Sequence, residues 1–303
     1  MTVQHPLPPH TPYDGSSKAF AIGLRPLELD RWLEVDGYFG AQLAEKHRLY
    51  AELPDKVFVE EADTRDAQGE VLELIETSMG QYHEQALTKA RTLGTIGPGA
   101  LADAPLVTAS LMAQDDLILM RRGDDGWRLA AGSLCFPSSW SLTEKFGKPL
   151  DRIHDPVPGF GTGTRPADII SRMFDNLQGQ AVERFNWSVQ ANGALYHPLS
   201  DRQRIARSAE RQSTFPDGDI NAHAFIRVER QTLRKLPLSR DILFTIRIYL
   251  DPLAVLVRHP DRGRIAAGFT RQLGELEEAQ LDYKGLTADR DRLVTYLDGM
   301  ADG

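Results

Sequence analysis

Cysteine is nearly absent from this chain: Cys135 is the only one in 303 residues. An internal disulfide, a cysteine-ligated iron–sulfur cluster and a zinc ribbon are therefore excluded within the chain. Positive charge is also scarce, with 35 Lys and Arg against 43 Asp and Glu and a net charge of −8. No long basic run occurs, which argues against a nucleic-acid partner. No stretch reaches the ~18 consecutive apolar residues that a membrane span needs. The opening MTVQHPLPPHTPYDGSSKAF has neither a basic n-region nor an apolar h-region, so no membrane association and a cytoplasmic location are expected.

Several chemistries are excluded by spacing. No G-x-x-x-x-G-K-[ST] is present, and the glycines of GTIGPGA (94–100) and GFGTGT (159–164) lack the G-x-G-x-x-G order and a preceding buried strand. The eight histidines form no H-E-x-x-H or H-x-x-x-H pair, and there is no G-x-S-x-G elbow. Neither a helix-borne zinc site nor a common hydrolase is supported.

What is present is a 41% apolar chain, long enough to bury a substantial core. Its first 19 residues, rich in proline and small polar side chains, suggest a loosely held arm, followed by a single domain over 20–303. Apolar residues recur at helical spacing over 26–52, with a break near Asp36-Gly37, and again over 70–93. Residues 117–120 and 127–136 predict two strands joined by a Gly/Asp turn, ended by Pro137. Ser141 and Glu144 have capping-box spacing for a short helix cut by Gly147. Pro149 suits the first turn of a second short helix, which ends at His154. A helix is expected over 165–183, then a strand over 184–198.

The clearest strands lie at 224–237 and 241–250. In the first, Phe225, Arg227, Glu229 and Gln231 alternate with Ile226, Val228, Arg230 and Thr232. In the second, Ile242, Phe244, Ile246 and Ile248 share one face, and Thr245, Arg247 and Tyr249 the other. Two antiparallel neighbours are expected, and then a helical extension from about residue 252, with helices at 264–283 and 287–300.

His154 stands out, closing a short helix against the corner Asp155-Pro156-Val157-Pro158. A haem iron can be held by one neutral imidazole, given an apolar slot for the macrocycle, and prolines would fix the ring's direction. The plainer alternative is a histidine bonded to a helix-terminal carbonyl, and side-chain chemistry alone favours it. Cys135, by the same standard, is a small apolar filler on a buried strand rather than a thiolate ligand.

Three groups of residues carry a resemblance. They are Leu134-Cys135-Phe136-Pro137-Ser138-Ser139-Trp140 with Glu144-Lys145-Phe146-Gly147-Lys148-Pro149 and Ile153-His154-Asp155-Pro156-Val157-Pro158; Gly23-Leu24-Arg25-Pro26-Leu27 and Asn186-Trp187; and the run from Glu229 to Pro237 with Phe244 to Tyr249. Together they resemble the haem-dependent oxidative N-demethylase family, formerly a domain of unknown function, from about Phe20 to about Leu253. The resemblance implies an α+β fold in which a PAS-like antiparallel sheet and helices enclose a haem pocket, with extra helices at both ends. It implies a monooxygenase-type enzyme that uses haem b and dioxygen to oxidise a secondary amine such as dimethylamine, releasing primary amine and formaldehyde. His154 would be the axial ligand, with Phe136, Trp140 and Trp187 about the cofactor. Electrons would come from NADPH through reductase partners carrying FMN and a 2Fe–2S centre, and a folate-binding partner with tetrahydrofolate would take the one-carbon product. The single cysteine agrees with that division.

Dioxygen under reduction gathers negative charge, which a guanidinium or phenol stabilises, whereas a carboxylate holds an ammonium. Arg247 and Tyr249 are the expected oxygen-side donors, Glu229 the expected amine anchor and Arg230 a weaker candidate. An ordinary solvated strand face is the alternative for Arg227, Glu229 and Arg230; Arg247, flanked by isoleucines, fits that alternative poorly. A haem gas sensor is a competing reading, although no kinase, cyclase or DNA-binding module accompanies the chain. A haemless small-molecule-binding domain is another.

Overall fold

The computed structural model describes residues 5–96, 101, 103–215 and 219–301. Part of the glycine-rich stretch GTIGPGA, residues 97–100, lies outside them, as do residues 1–4 of the N-terminal arm.

Among the described residues, seven strands form one sheet: β1 (Arg25–Leu27), β2 (Phe58–Glu60), β3 (Asp116–Gly123), β4 (Gly126–Ser133), β5 (Ala181–Gln190), β6 (Phe225–Lys235) and β7 (Ile242–Pro252). Their order is β1-β5-β6-β7-β3-β4-β2, and every pairing is antiparallel. The chain is thus α+β, as the sequence predicts. Asp124 and Asp125 make the two-residue hairpin loop between β3 and β4, with Gly126 at φ +107°.

The two faces of the sheet are covered differently. One packs Leu117, Leu119, Leu243, Val228 and Trp187 against long helices from both ends of the chain, including Phe39–Glu52, Arg65–Tyr82 and Arg262–Glu275. The other packs Ile118, Met120, Leu129, Leu233, Ile246 and Ile248 beneath the short helices of the middle segment, among them Leu142–Lys145, Leu150–His154 and Arg165–Asn176. Long helices can bury a continuous stripe against a sheet, whereas short, proline-broken ones leave space above it.

Several boundaries differ from expectation. The helix predicted over 70–93 is two, Arg65–Tyr82 and Glu84–Leu93, broken at His83, whose Nε2 lies 2.8 Å from the Leu33 carbonyl. The 264–283 helix likewise divides at Leu276, because Glu277 and Gln280 form a new capping box. The helix expected to run to 183 stops at Asn176, since β5 begins at Ala181. Ser141 and Glu144 form no capping box. The Glu144 carboxylate instead accepts the Asp201 amide at 2.8 Å, fastening the start of the Asp201–Glu210 helix.

Within residues 5–19, several side chains and carbonyls contact the helix Arg262–Glu275. Tyr13 is buried against Phe269, with ring centroids 4.9 Å apart, and Asp14 pairs with Arg264 at 2.9 Å. Gln272 donates to the carbonyls of Pro12 and Ser17 at 3.0 and 2.7 Å. One aromatic anchor and a few backbone hydrogen bonds are enough to seat a proline-rich segment that composition alone marks as loose.

Candidate functional site

Pro149 enters the Leu150–His154 helix in an extended conformation, ψ 156°, and its carbonyl accepts the Ile153 amide at 2.9 Å. The helix is only five residues long, so the turn beyond it fixes its end. Val157 N–H donates back to the His154 carbonyl at 2.8 Å, and the Asp155 carboxylate accepts both the amide and the hydroxyl of Thr162 at 2.9 Å. A side chain on Gly161 would meet Asp155 at 2.9 Å, so the glycines of GFGTGT serve this tight return. Thr164 then caps the Arg165–Asn176 helix.

The imidazole is oriented by its own helix. His154 Nδ1 lies 2.9 Å from the Leu150 carbonyl, which can only accept, so Nδ1 carries the proton and Nε2 the lone pair. Burial holds the ring's pKa down at about 4, with the nearby Arg184 and Lys145 pushing the same way and the Leu150 carbonyl opposing. The ring is neutral at pH 7. It borders a cavity of about 330 Å³.

The cavity runs across the sheet from apolar to polar. Its apolar part is lined by Ile118, Met120, Leu129, Phe244 and Ile246 from the sheet, and by Ile153, Phe160 and Trp140 above it. Its polar part takes Arg184, Asn186, Ser188 and Gln190 from β5, Glu229 and Gln231 from β6, and Arg207, Tyr283 and Lys284 from helices. Glu229 Oε2 accepts from Gln231 at 2.9 Å and Asn186 at 3.4 Å, while its Oε1 lies 4.0 Å from Arg227 Nε. Burial lowers the Arg184 and Arg207 pKa values, pushes Lys284 down to about 7 and raises Tyr283 to about 12.

The residues singled out from the sequence divide sharply. His154, Trp140 and Glu229 line the cavity. Phe136 does not. It is buried beside Lys46, whose Nζ lies 5.7 Å from its ring centroid, and its carbonyl accepts from Arg227. Trp187 is on the opposite face, donating to Gln272 at 2.7 Å. Arg230, Arg247 and Tyr249 are on that opposite face as well, so the structure does not bring the expected oxygen-side donors to the cavity. Arg230 holds Glu183 at 2.7 Å, Arg247 holds Asp36 at 2.6 Å, and the Tyr249 hydroxyl donates to Glu34. Although burial opposes ionisation of Glu34, His10, Tyr249 and Arg230 hold its pKa at about 2.

The reason is register. Glu229 pairs with Ile248, so the carboxylate shares the isoleucine face, and Arg230 pairs with Arg247 on the other. Arg184 and Gln190 are marked in the sequence only by RFNWSVQ, which alternates polar and apolar residues in the manner of β6, and Asn186 only by its place beside Trp187. Tyr283 and Lys284, on the distant helix Glu278–Lys284, carry no local signal. Cys135 is a buried free thiol with its pKa raised by burial, in keeping with a filler.

A single neutral imidazole with its outer nitrogen available, set in a broad apolar wall that ends in cationic side chains, fits a haem. Residues 23–294, which span all seven strands and both layers of helices, match the family described as Haem-dependent oxidative N-demethylase, alpha subunit-like.

Proposed function

The chain belongs to the haem-dependent oxidative N-demethylase alpha-subunit-like family, an oxidoreductase family, and from that premise we propose that it removes a methyl group from a small secondary amine, dimethylamine or a close relative, at a haem b bound through His154. The observation that carries this reading is the histidine itself: Nδ1–H is committed to Leu150, and Nε2 has no hydrogen-bond partner among the described residues. When bound, the haem supplies the centre at which dioxygen is activated.

The chain's own residues do the rest. Glu229 receives the substrate ammonium at Oε1, since Oε2 is already occupied by Asn186 and Gln231. Asp201, the other acid on the cavity wall, is engaged by Arg204 at 3.0 Å and by Lys145 at 3.8 Å. The wall of Ile118, Met120, Phe244 and Ile246 keeps water from the methyl group. The balance is dimethylamine, dioxygen, two electrons and two protons giving methylamine, formaldehyde and water. With one cysteine, the chain carries no cysteine-held iron–sulfur centre to deliver those electrons. They come from partner subunits, for which NADPH, FMN and a 2Fe–2S centre are the proposed relay, with tetrahydrofolate on a further partner to accept the formaldehyde.

Formaldehyde release from dimethylamine by the haem-loaded protein, with an electron donor supplied, tests the proposal. Glu229→Gln should raise KM for the amine about tenfold or more, the loss of a charged hydrogen bond, with a smaller effect on kcat. Haem-loaded protein that releases no formaldehyde, and whose spectrum does not respond to the amine, would remove the demethylase reading for this chain.

A further inference from the structure

We propose that Arg184 and Arg207 hold the two propionates of the haem, and so fix which edge of the cofactor meets the polar end of the cavity. This rests on the haem reading above and goes beyond it by assigning the carboxylate subsites. The two guanidiniums reach the cavity from different walls, Arg184 from the middle of β5 and Arg207 from the helix Asp201–Glu210.

Both differ from Arg121, Arg230 and Arg247, and share with Arg227 a buried Nε–H that has no acceptor among the described residues. Arg121, Arg230 and Arg247 each hold a carboxylate at 2.7, 2.7 and 2.6 Å. Neither Arg184 nor Arg207 has a carboxylate within salt-bridge distance among the described residues. Arg184 makes one hydrogen bond, to the Ala21 carbonyl at 3.2 Å, and Arg207 one, to the Tyr283 carbonyl at 3.0 Å. The Nε–H of each is buried with no acceptor. Glu229 acts on Arg184 only from beyond salt-bridge distance; an enclosed guanidinium that no carboxylate touches is costly, and a ligand carboxylate relieves that cost in a geometry the planar fork matches.

The surrounding charge selects the same ligand class. Among the described residues, the cavity wall carries Lys145, Arg184, Arg204, Arg207 and Lys284 against Asp201 and Glu229, in a chain whose net charge is −8. A cationic substrate is repelled from Arg184 and Arg207, so these two are not its anchors. A flat apolar molecule with carboxylates on one edge satisfies both halves of the cavity at once. The Arg207 guanidinium is also seated against the turn at Gly285, where an added side chain would lie 3.0–3.2 Å from it.

The test compares haem with its dimethyl ester, which keeps the macrocycle and iron but has no carboxylates. Dissociation constants would be read from Soret titrations of full-length apoprotein and from the rate of loss to a haem-scavenging protein, for wild type, Arg184→Gln, Arg207→Gln and the double variant. The expected result is that wild type prefers haem over the ester by about tenfold or more per propionate, that each single variant narrows the gap, and that the double variant closes it. Because the comparison is made within each variant, a general loss of stability cancels. Equal affinity for the two porphyrins in wild type, or an undiminished preference in the double variant, overturns the clamp alone. A chain that develops a Soret band with neither porphyrin overturns the haem reading on which it rests.

Discussion

Arg230 and Arg247 stand directly opposite each other on β6 and β7, two fully buried guanidiniums at one cross-strand position. Like charges so placed repel. They persist because each has its own acid, Glu183 for Arg230 and Asp36 for Arg247, and because Arg230 also donates to the carbonyls of Arg31 and Trp32 at 2.6 and 2.8 Å. The pair fastens segment 31–36 to the back of the sheet, and the cavity lies on the other side.

Replacing Arg247 with methionine should therefore act on the fold. Urea denaturation should show a loss of about 1.5–3 kcal/mol, the value of hydrogen bonds to a charged group, while kcat/KM of the folded, haem-loaded protein stays within about threefold. A large fall in turnover with unchanged stability would return Arg247 to the chemistry.

Lys284 gives the fold a pH dependence. Burial holds its pKa at about 7, well below the ordinary lysine value of 10.5, with Arg184 pushing the same way and Glu229 opposing. Between those two values the unfolded chain holds a proton that the folded chain has released, so raising the pH stabilises the fold, by at most about 1.4 kcal/mol per pH unit. Below about pH 7 both states are charged and the cost of burying the cation is fully felt. The stability of apoprotein relative to Lys284→Met should rise between pH 7 and 9. A difference that stays flat across that range would contradict the burial of a titrating amine.

Gly268 is the seat of the N-terminal segment. A Cβ there would lie 2.0 Å from the Asp14 carbonyl oxygen and 2.2 Å from its carbon, both backbone atoms that cannot rotate away. Gly268→Ala should expel residues 12–17, and limited proteolysis should cut the N-terminal segment faster than in wild type. An unchanged cleavage pattern would mean that the segment is held elsewhere.

Much of this was legible in the sequence because the signals are local. The alternation along β6 and β7 assigned Glu229 and Ile248 to their strand faces, and Pro149 with Asp155-Pro156-Val157-Pro158 bounded the helix that ends at His154. What alternation cannot give is which face of one strand joins which face of the next. That depends on pairing register, and a one-residue slip exchanges every side chain, so alternation along each strand leaves open that Arg247 and Tyr249 lie on the face away from Glu229. Arg207, Tyr283 and Lys284 reach the cavity only through tertiary packing, from helices far from β6 in sequence. Trp187 was legible as an aromatic in a strand, but its face was not.

The proposed axial role of His154 Nε2 is tested most directly by the absorption and electron paramagnetic resonance spectra of haem-loaded His154→Gly, with and without added imidazole. The histidine-ligated signature should be lost in the variant and restored when imidazole enters the vacated position. A variant that keeps the wild-type axial signature without imidazole would contradict it.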